Sequence, residues 1–492
     1  MSESEPGPSL DGTEVRASAR PPGGVRGVPS QTLGGDCERL GHAIPLGTAV
    51  RTWALVGLQS FGGPAGQIAL MHRMLVEERH WISERRFLHA LNFCMVLPGP
   101  EAQQLAVYIG WLLNGTVGGT IAGALFVLPG FVALLGLSVL YATLGHVGVV
   151  SGLLFGLQAA VVAVVAEAVL RIGRRALINP AMVTLAGAAF VGIFFLQLPF
   201  PLIVAGAGLV GYLGGRWHPG LFRRSSGHGS VDTGADLTAL IHDGVPEHTP
   251  GRDRSALRAA GVCLVLWLVP VAALLVTLGS SHVFGQEAVL FSKTAVVTFG
   301  GAYAVLGYIA QQAVTGYGWL RPGEMLTGLG LAETTPGPLI MVVQFVGFLA
   351  AYRHPGTLPP LVAGVLGSVV TVWVTFVPCF LFIFAGAPFI ERLRGNPHLS
   401  SALSAVTAAV VGVVLNLAVW FALHTAFGRV DEPRRAGVRL LVPHLNTVDL
   451  ASVAISIAAA VALFRFKRGV MITLAGAATA GLVLHLAVGA GS

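Results

Sequence analysis

The chain has 492 residues, of which 54% are hydrophobic and only 11% are charged. A soluble protein carries charged side chains at roughly a quarter of its positions, so this composition excludes an ordinary soluble domain. The formal net charge of +7 does not indicate nucleic-acid binding, because the basic residues lie in the loops between apolar segments.

The first 43 residues are rich in proline, glycine and serine and contain no apolar run. Such a segment cannot bury enough apolar surface to fold, which predicts a disordered cytoplasmic tail over 1–43. It does not have the pattern of a cleaved signal peptide, because no apolar core follows a basic start.

The rest of the chain consists mainly of continuous apolar segments of about twenty residues, the length that crosses a bilayer as a helix. Continuous runs favour an all-α polytopic membrane protein over a β-barrel, whose strands would alternate apolar and polar residues. Thirteen crossings are predicted, in an order of six, one and six. They lie near 46–70, 87–113, 117–142, 147–170, 177–195, 199–215, 257–280, 286–312, 325–352, 359–387, 402–427, 448–465 and 469–489.

The order predicts a first repeat over 44–215, a cytoplasmic linker over 216–256, a connecting transmembrane helix over 257–280 and a second repeat over 281–490. Three motifs support the duplication, because each recurs at the same offset of 238 positions. They are Phe61-Gly62-Gly63 with Phe299-Gly300-Gly301, Trp81 with Trp319, and Pro98-Gly99-Pro100 with Pro336-Gly337-Pro338. One extra helix between two six-helix units inverts the second unit, as in the inverted repeats of many secondary transporters.

The basic residues predict the orientation, since cytoplasmic loops of membrane proteins are enriched in lysine and arginine. The linker and three clusters share one side, which places the N-terminus in the cytoplasm and the C-terminus outside. The clusters are Arg171 with Arg174 and Arg175, Arg392 with Arg394, and Arg465 with Lys467 and Arg468. The basic loops 72–86 and 428–447 disagree, and whether the segments 87–113 and 325–352 cross or re-enter stays open.

Each Pro-Gly-Pro motif interrupts an apolar segment, and proline there breaks a helix into two halves. Pro100 and Pro338 are expected to start the second half-helices, because proline suits the first helical position. The free amides that follow would favour an anion, and broken backbone at this depth requires a cavity lined by protein or water. These amides belong to Glu101, Ala102 and Gln103, and to Leu339, Ile340 and Met341. A structural kink is the alternative interpretation.

The glycine pairs after Phe61 and Phe299 lie late in the first helix of each half. Glycine permits close approach of either a ligand or a neighbouring helix, and the sequence leaves both open. Pro64 follows the first pair, whereas Ala302 follows the pair Gly300 and Gly301, so the two halves need not act equally.

Ionisable residues inside apolar segments are costly and need a reason. Arg51 and Lys293 lie early in the first helix of each half, where either could attract an anion or extend to the membrane surface. Glu101 follows the first Pro-Gly-Pro and Glu333 precedes the second, so either could carry a proton during transport. Glu101 could instead only complement the dipole of its helix. Gln103 could hydrogen-bond a solute in the same cavity or bond a neighbouring helix.

The sequence contains no nucleotide-binding loop and no hydrolase or zinc-protease motif, which leaves gradient-driven transport as the simplest interpretation. The four cysteines are scattered without metal-ligand spacing, so no metal or cofactor is expected. We expect a lipid bilayer and a small solute as partners and no nucleic acid, and a homodimer stays open.

Taken together, the FGGP motif at 61–64, the basic amphipathic stretch ending in Trp81, and the PGP motif at 98–100 resemble the chromate ion transporter (CHR) family. The second copies, FGG at 299–301 and TPGP at 335–338, strengthen the resemblance, which covers about 46 to 489. Ala302 departs from the first copy of the motif.

The resemblance implies a long-chain, two-domain transporter that exports chromate through the bacterial inner membrane and confers chromate resistance. It implies the proton motive force as the energy source and sulfate as a competitor of similar shape. The residues carried over are Phe61 to Pro64 and Pro98 to Glu101. Two alternatives stay open: a transporter of sulfate or another tetrahedral oxyanion, and a membrane-embedded enzyme, for which only Glu101 with His89 approaches a catalytic pair.

Overall fold

The computed structural model describes residues 44–217, 250–299, 301–389, 397–435 and 438–489. The predictions for the tail 1–43, for most of the linker 216–256, and for Gly300, Arg392 and Arg394 lie outside the described residues. The described chain is almost entirely helical, which confirms an all-α polytopic membrane protein.

The first half contains α1 (Leu46–Gln59), α2 (Gly63–His72), α3 (Glu84–Cys94), α4 (Glu101–Leu144), α5 (Gly148–Ala176), α6 (Pro180–Phe194) and α7 (Phe200–Trp217), and the connecting helix is α8 (Pro250–Leu278). The second half contains α9 (Val283–Val297), α10 (Ala302–Gln311), α11 (Pro322–Thr334), α12 (Val342–Arg353), α13 (Pro360–Gly386), α14 (Pro397–Ala426), α15 (Leu450–Phe464) and α16 (Val470–Gly489). Of these described helices, α4, α5, α8, α13, α14 and α16 are long and apolar enough to cross a membrane.

Short elements complete the structure. One π-helical turn follows α2 (Arg73–Glu78) and another follows α10 (Gln312–Gly316). Turns of 3₁₀-helix cover Leu339–Met341, Ala387–Phe389 and Leu445–Thr447. Between α14 and α15, strand β1 (Val430–Asp431) pairs antiparallel with β4 (Val442–Pro443), and β2 (Arg434–Arg435) with β3 (Val438–Arg439).

The first predicted segment of each half, 46–70 and 286–312, is not one helix. The chain leaves α1 at Ser60 and re-forms a helix at Gly63, because Gly62 has a left-handed φ of 82° and Pro64 has no amide to continue the ladder. The second half breaks in the same place, with Gly301 at φ 99° before α10.

Helix α4 is a hairpin of two arms, 101–113 and 116–144. Asn114 and Gly115 have non-helical dihedral angles, with Gly115 at φ 64°. The arms pack so closely that a Cβ added to Gly110 would lie 2.6 Å from the carbonyl oxygen of Gly118. The turn falls at the predicted boundary between the segments 87–113 and 117–142.

The segment 325–352 turns back at its Pro-Gly-Pro break, which corrects its prediction as a crossing. The Arg353 guanidinium, at the end of α12, donates to both carboxylate oxygens of Glu324 at the start of α11, at 2.7 and 2.5 Å. It also donates to the Trp319 carbonyl at 2.8 Å. The outer ends of α11 and α12 therefore meet, so the thirteen predicted crossings are not confirmed.

Contacts of the same kind bring chain ends together in the other broken segments. The Asn114 side chain donates to the Ile44 carbonyl at 3.0 Å, so α1 begins where the first arm of α4 ends. Trp81, in the loop after α2, belongs to the same buried apolar cluster as Ile44 and Ala256. In the second half, a Cβ at Gly356 would lie 3.4 Å from the imidazole of His282, just before α9.

The two halves are joined by long helix–helix contacts, in which one helix of each half packs against two helices of the other. Helix α5 packs along α15 and α16 of the second half, and α14 packs along α6 and α7 of the first. Small residues allow these approaches: a Cβ at Gly156 would lie 1.9 Å from the Ala477 carbonyl, and one at Gly412 would lie 2.0 Å from the Ala186 carbonyl. These contacts join the two halves along four pairs of helices.

The re-entrant geometry predicts which loops share one side of the membrane. In a cysteine-free background, cysteines at Tyr317 and Pro355 should react with a membrane-impermeant maleimide from the same side. Arg79→Cys should react from the opposite side and serves as the matched control. Labelling of Tyr317→Cys and Pro355→Cys from opposite sides would contradict the turn at Pro336-Gly337-Pro338.

Candidate functional site

Four chain breaks meet at the centre of the structure, and two backbone hydrogen bonds join them in a crossed pattern. The Gly337 amide, in the second Pro-Gly-Pro, donates to the Ser60 carbonyl at the end of α1 at 2.9 Å. The Gly99 amide, in the first Pro-Gly-Pro, donates to the Thr298 carbonyl at the end of α9 at 2.8 Å. Donor and acceptor positions are each related by the 238-residue offset, so each half bonds to the other in the same way.

The side chains that support these bonds are not symmetric. The Ser60 hydroxyl also accepts from the Gly337 amide at 2.9 Å, and the Gln67 amide donates to the Gly337 carbonyl at 2.6 Å. At the first Pro-Gly-Pro, the Gln104 amide donates to the Pro98 carbonyl at 2.6 Å. The positions equivalent to the two glutamines are valines, Val305 and Val342.

The glycines of the Pro-Gly-Pro motifs are required by their conformation. Gly99 has a φ of 132° and Gly337 a φ of 101°, which residues with a Cβ rarely adopt. The second arm of α4 presses on the second motif, because a Cβ at Gly130 would lie 2.4 Å from the Pro336 carbonyl. The breaks are thus fixed by backbone packing as well as by hydrogen bonds.

A small cavity lies where four helices begin: α2, α4, α10 and the 3₁₀ turn that leads into α12. Its volume is about 10 Å³, the space of about one water molecule. Its lining residues are Pro64, Gln67, Pro100, Glu101, Ala102, Gly301, Ala302, Pro338 and Leu339. None of the four helix starts receives a side-chain cap, at Gly62, Pro100, Gly301 or Pro338.

The starts of α2, α4 and α10 contribute unpaired amides and partial positive charge to the cavity, which the Glu101 side chain also borders. Two details of the prediction change. Pro100 and Pro338 are N-caps, one position before the helical residues. The Met341 amide is not free, since it donates to the Pro338 carbonyl at 2.9 Å.

Both predicted carboxylates lie at the breaks. Glu101 is half-buried and borders the cavity at the start of α4. Glu333 is buried at the end of α11, where its carboxylate accepts a short hydrogen bond from the Tyr303 hydroxyl. A Cβ at Gly63 would lie 3.9 Å from a Glu333 oxygen, so this carboxylate lies beside the start of α2.

The predicted cations are not at the cavity. Arg51 and Lys293 are exposed on α1 and α9, nine and five residues before the breaks at Ser60 and Thr298. The arginines close enough to interact electrostatically with the site carboxylates come from the end of α5. They are Arg175 for Glu101 and Arg171 for Glu333.

The remaining predicted residues fall into two groups. Phe61, Gly62, Pro98 and Pro336 form the backbone of the breaks beside the cavity. Gln103 is fully buried, and neither atom of its side-chain amide has a hydrogen-bond partner among the described residues. It does not border the cavity, so its binding role stays a prediction.

Sequence reasoning missed four residues that build the site: Ser60, Thr298, Gln67 and Tyr303. A signal existed for two of them. The sequence reads Ser-Phe-Gly-Gly from Ser60 and Thr-Phe-Gly-Gly from Thr298, so a hydroxyl residue precedes both copies of the motif. Gln67 and Tyr303 have no counterpart in the other half and carried no such signal.

Known proteins identify the family. The sequence model of one family, described as Chromate transporter, matches residues 48–212 and 286–482, which together are well over half of the chain. The chain belongs to the chromate transporter family. Each segment matched by the chromate transporter model contains one Phe-Gly-Gly and one Pro-Gly-Pro break. The resemblance seen in the sequence is confirmed.

Three relatives illustrate the similarity. A chromate transport protein of Pseudomonas aeruginosa is 34% identical over 367 residues, which cover 73% of this chain and 76% of that protein. A probable chromate transport protein of Synechococcus elongatus is 27% identical over 387 residues, covering 78% and 87%. A chromate transport protein of Cupriavidus metallidurans is 25% identical over 435 residues, covering 87% and 91%. No solved structure matches the chain.

The contact between α4 and the second break gives a stability prediction. Gly130→Ala should destabilise the purified protein by about 1–3 kcal/mol, because the added methyl collides with the Pro336 carbonyl. Gly136→Ala, on the same helix with no atom within 4 Å of the added Cβ, is the matched control and should be neutral or slightly stabilising. Thermal unfolding in detergent measures both. Equal melting temperatures for the two variants would contradict the close packing at Gly130.

Proposed function

We propose that this protein is a chromate efflux transporter driven by the proton motive force, located in a bacterial inner membrane and conferring chromate resistance. The observation that carries the proposal is the meeting of four uncapped helix N-termini at a buried break between the two halves. The names of the relatives support chromate as the substrate.

The proposed site holds the oxyanion between the two sets of breaks. A tetrahedral dianion needs several hydrogen-bond donors at once, and unpaired amides at helix starts supply donors together with favourable dipoles. Half-helix N-termini that point at an anionic group are a known device of secondary transporters. Arg175 adds positive charge from α5 without occupying the cavity, whereas Arg171 is paired with Glu167 at 2.8 Å.

The cavity is too small for an oxyanion in this conformation, so binding requires the breaks to separate. The crossed bonds from Gly337 to Ser60 and from Gly99 to Thr298 are the contacts that separation would open. In the proposed cycle, opening toward one side breaks one of these bonds and opening toward the other side breaks its counterpart. The substrate would thereby reach one side at a time.

We further propose that the repeats, 44–215 and 281–490, are inverted. The second arm of α4 begins beside Asn114, which is bonded to the start of α1. Near its other end, the Tyr141 hydroxyl donates to Glu324 at the start of α11 at 3.0 Å. The broken segments of the two halves therefore enter from opposite ends of this arm, as inverted repeats require.

With the broken segments re-entrant, the proposed topology has nine crossings: the second arm of α4, helices α5 to α8, and helices α13 to α16. An odd number keeps the N-terminus in the cytoplasm and the C-terminus outside. The basic loop 72–86 then joins the cytoplasmic side, which removes one of the two conflicts with the charge rule. In the loop 428–447, two arginines pair with carboxylates: Arg429 with Asp431 at 3.2 Å and Arg439 with Glu432 at 3.6 Å.

Arg51 and Lys293 are proposed to attract the anion before it reaches the breaks. They lie at related places on α1 and α9, which enter the proposed membrane from opposite sides. An exposed cation raises the local concentration of an anion without binding it tightly. Sulfate shares the shape and charge of chromate, and backbone donors do not distinguish the two, so a sulfate transporter remains the second candidate.

Transport into everted membrane vesicles tests the proposal. Vesicles that contain the protein and are energised by respiration should accumulate labelled chromate, because export from the cell becomes uptake. An uncoupler should abolish the accumulation, and excess sulfate should reduce it if sulfate shares the site. Uptake no greater than in vesicles without the protein would contradict chromate export, and stronger uptake of labelled sulfate would favour the second candidate.

Proton coupling through Glu333 has its own test. Glu333→Gln keeps the size of the side chain but cannot release a proton, so chromate binding should persist while the pH dependence of transport is lost. Glu78→Gln, at an exposed carboxylate that pairs only with Arg73 across the described surface, is the matched control and should behave as wild type. An unchanged pH profile in Glu333→Gln would exclude Glu333 as the proton carrier, and Glu101→Gln then tests the other carboxylate at the breaks.

A further inference from the structure

A buried carboxyl group without any partner lies away from the breaks, at Glu287 in α9. Its side chain has no exposed surface. Neither of its carboxylate oxygens has a hydrogen-bond partner among the described residues. Since almost every buried polar atom in proteins is hydrogen-bonded, a buried carboxyl with two unpartnered oxygens requires an explanation.

The carboxyl group lies at the junction of α9, α12 and α13. A Cβ at Gly367 would lie 3.1 Å from Oε1 of Glu287 and 2.6 Å from the Gly347 carbonyl, so these helices meet at the carboxyl through glycines. The Thr371 hydroxyl, one turn further along α13, is also buried without a partner. A side chain at Gly367 would therefore crowd the carboxyl group.

No charged group among the described residues faces this junction. On α9, His282 lies at the N-cap and Lys293 is exposed. On α12, Ala351 lies beside Gly367, and Tyr352 and Arg353 follow it, with Arg353 paired with Glu324. The titratable groups of the other packed helices are Cys379 on α13, Asp253, Arg254, Arg258 and Cys263 on α8, and Tyr303 and Tyr308 on α10, where Tyr303 is bonded to Glu333.

An unpaired carboxylate in such surroundings costs several kcal/mol or more, so the group holds a proton here. We infer that Glu287 is a proton-binding site of the transport cycle, occupied in this conformation and emptied when α9 separates from α12 and α13. The inference deepens the proposed function and rests on it for its role in coupling.

The position of Glu287 connects proton release to the anion site. Helix α9 ends at Thr298, whose carbonyl accepts the Gly99 amide. Glu287 lies eleven residues earlier on the same helix, about 16 Å along its axis. A rigid movement of α9 that exposes the carboxyl group would therefore also strain or open one of the crossed bonds.

The equivalent position in the first half is Ala49. The fold accommodates an apolar residue at this place in α1, so the repeated architecture does not demand an acid in α9. An unpaired carboxyl retained in one half alone is expected of a functional group, because intramembrane acids are costly.

Infrared difference spectroscopy of the reconstituted protein tests proton binding directly. In wild type, the carbonyl stretch of a protonated carboxyl group should disappear as the pH is raised or as chromate is added. Glu287→Gln should lack this change, and Glu287→Asp should retain it at a shifted frequency. Glu78→Gln is the matched control and should give the wild-type spectrum. A band that is assigned to Glu287 and does not respond to pH or chromate would overturn the inference. Such a band would show that Glu287 keeps its proton throughout and has only a structural role.

Transport separates this inference from the proposed function. Vesicles with Glu287→Gln should exchange labelled chromate across the membrane without an ion gradient but lose uncoupler-sensitive accumulation. Accumulation at the wild-type level would overturn the coupling role of Glu287. If wild-type vesicles transport no chromate, the proposed function fails, while the pH-dependent carboxyl band still decides whether Glu287 binds and releases a proton. If Glu287→Gln does not fold, the pH response of the shifted carboxyl band in Glu287→Asp shows whether this position binds and releases a proton.

Discussion

The crossed hydrogen bonds between the chain breaks constrain the rest of the structure. A helix that ends inside the protein exposes unpaired carbonyls, and one that starts there exposes unpaired amides, and neither is tolerated in lipid. Here the Ser60 carbonyl, directly after α1, accepts from the Gly337 amide, and the Thr298 carbonyl, directly after α9, accepts from the Gly99 amide. Because each donor belongs to the other half, neither half can complete its own breaks. The packing of α5 against α15 and α16, and of α14 against α6 and α7, joins the two halves further.

The sequence predicted the positions of the breaks better than their direction. Proline and glycine act locally, so the motifs at Pro98 and Pro336 could be placed by inspection and the 238-residue register followed. A hydropathy profile, however, measures the length of an apolar run and not its course. The run 325–352 is long enough to cross a bilayer, and it turns back because Arg353 pairs with Glu324, 29 positions earlier. The resulting re-entrant topology also accounts for the basic loop 72–86 without an exception to the charge rule.

The sequence predicted only part of the candidate site, because it shows local patterns but not contacts between distant positions. The Pro-Gly-Pro motifs and both carboxylates are conspicuous in an apolar chain, and the structure brings them together. Ser60 is not conspicuous, and its bond to Gly337 spans 277 positions, which no local pattern reports. Arg51 and Lys293 were chosen because a charge in an apolar segment is unusual, but which face of a helix a residue occupies depends on packing. Their exposure places them at the approaches to the site instead of at the cavity.

The features that repeat in both halves and the acids that occur in one half only have separate consequences for the proposed transport cycle. Equivalent breaks and equivalent backbone bonds make the two open states similar in energy, which lets a carrier visit both sides. A proton gradient can drive net movement of the anion only if the protonated and the unprotonated carrier differ in their affinity for the anion, since two ligands that bind independently are not coupled. The acids that could supply this difference in the second half, Glu287 and Glu333, are replaced in the first half by Ala49 and Met95. The proposed cycle therefore takes its reversibility from the repeated backbone and its direction from side chains present in one half only.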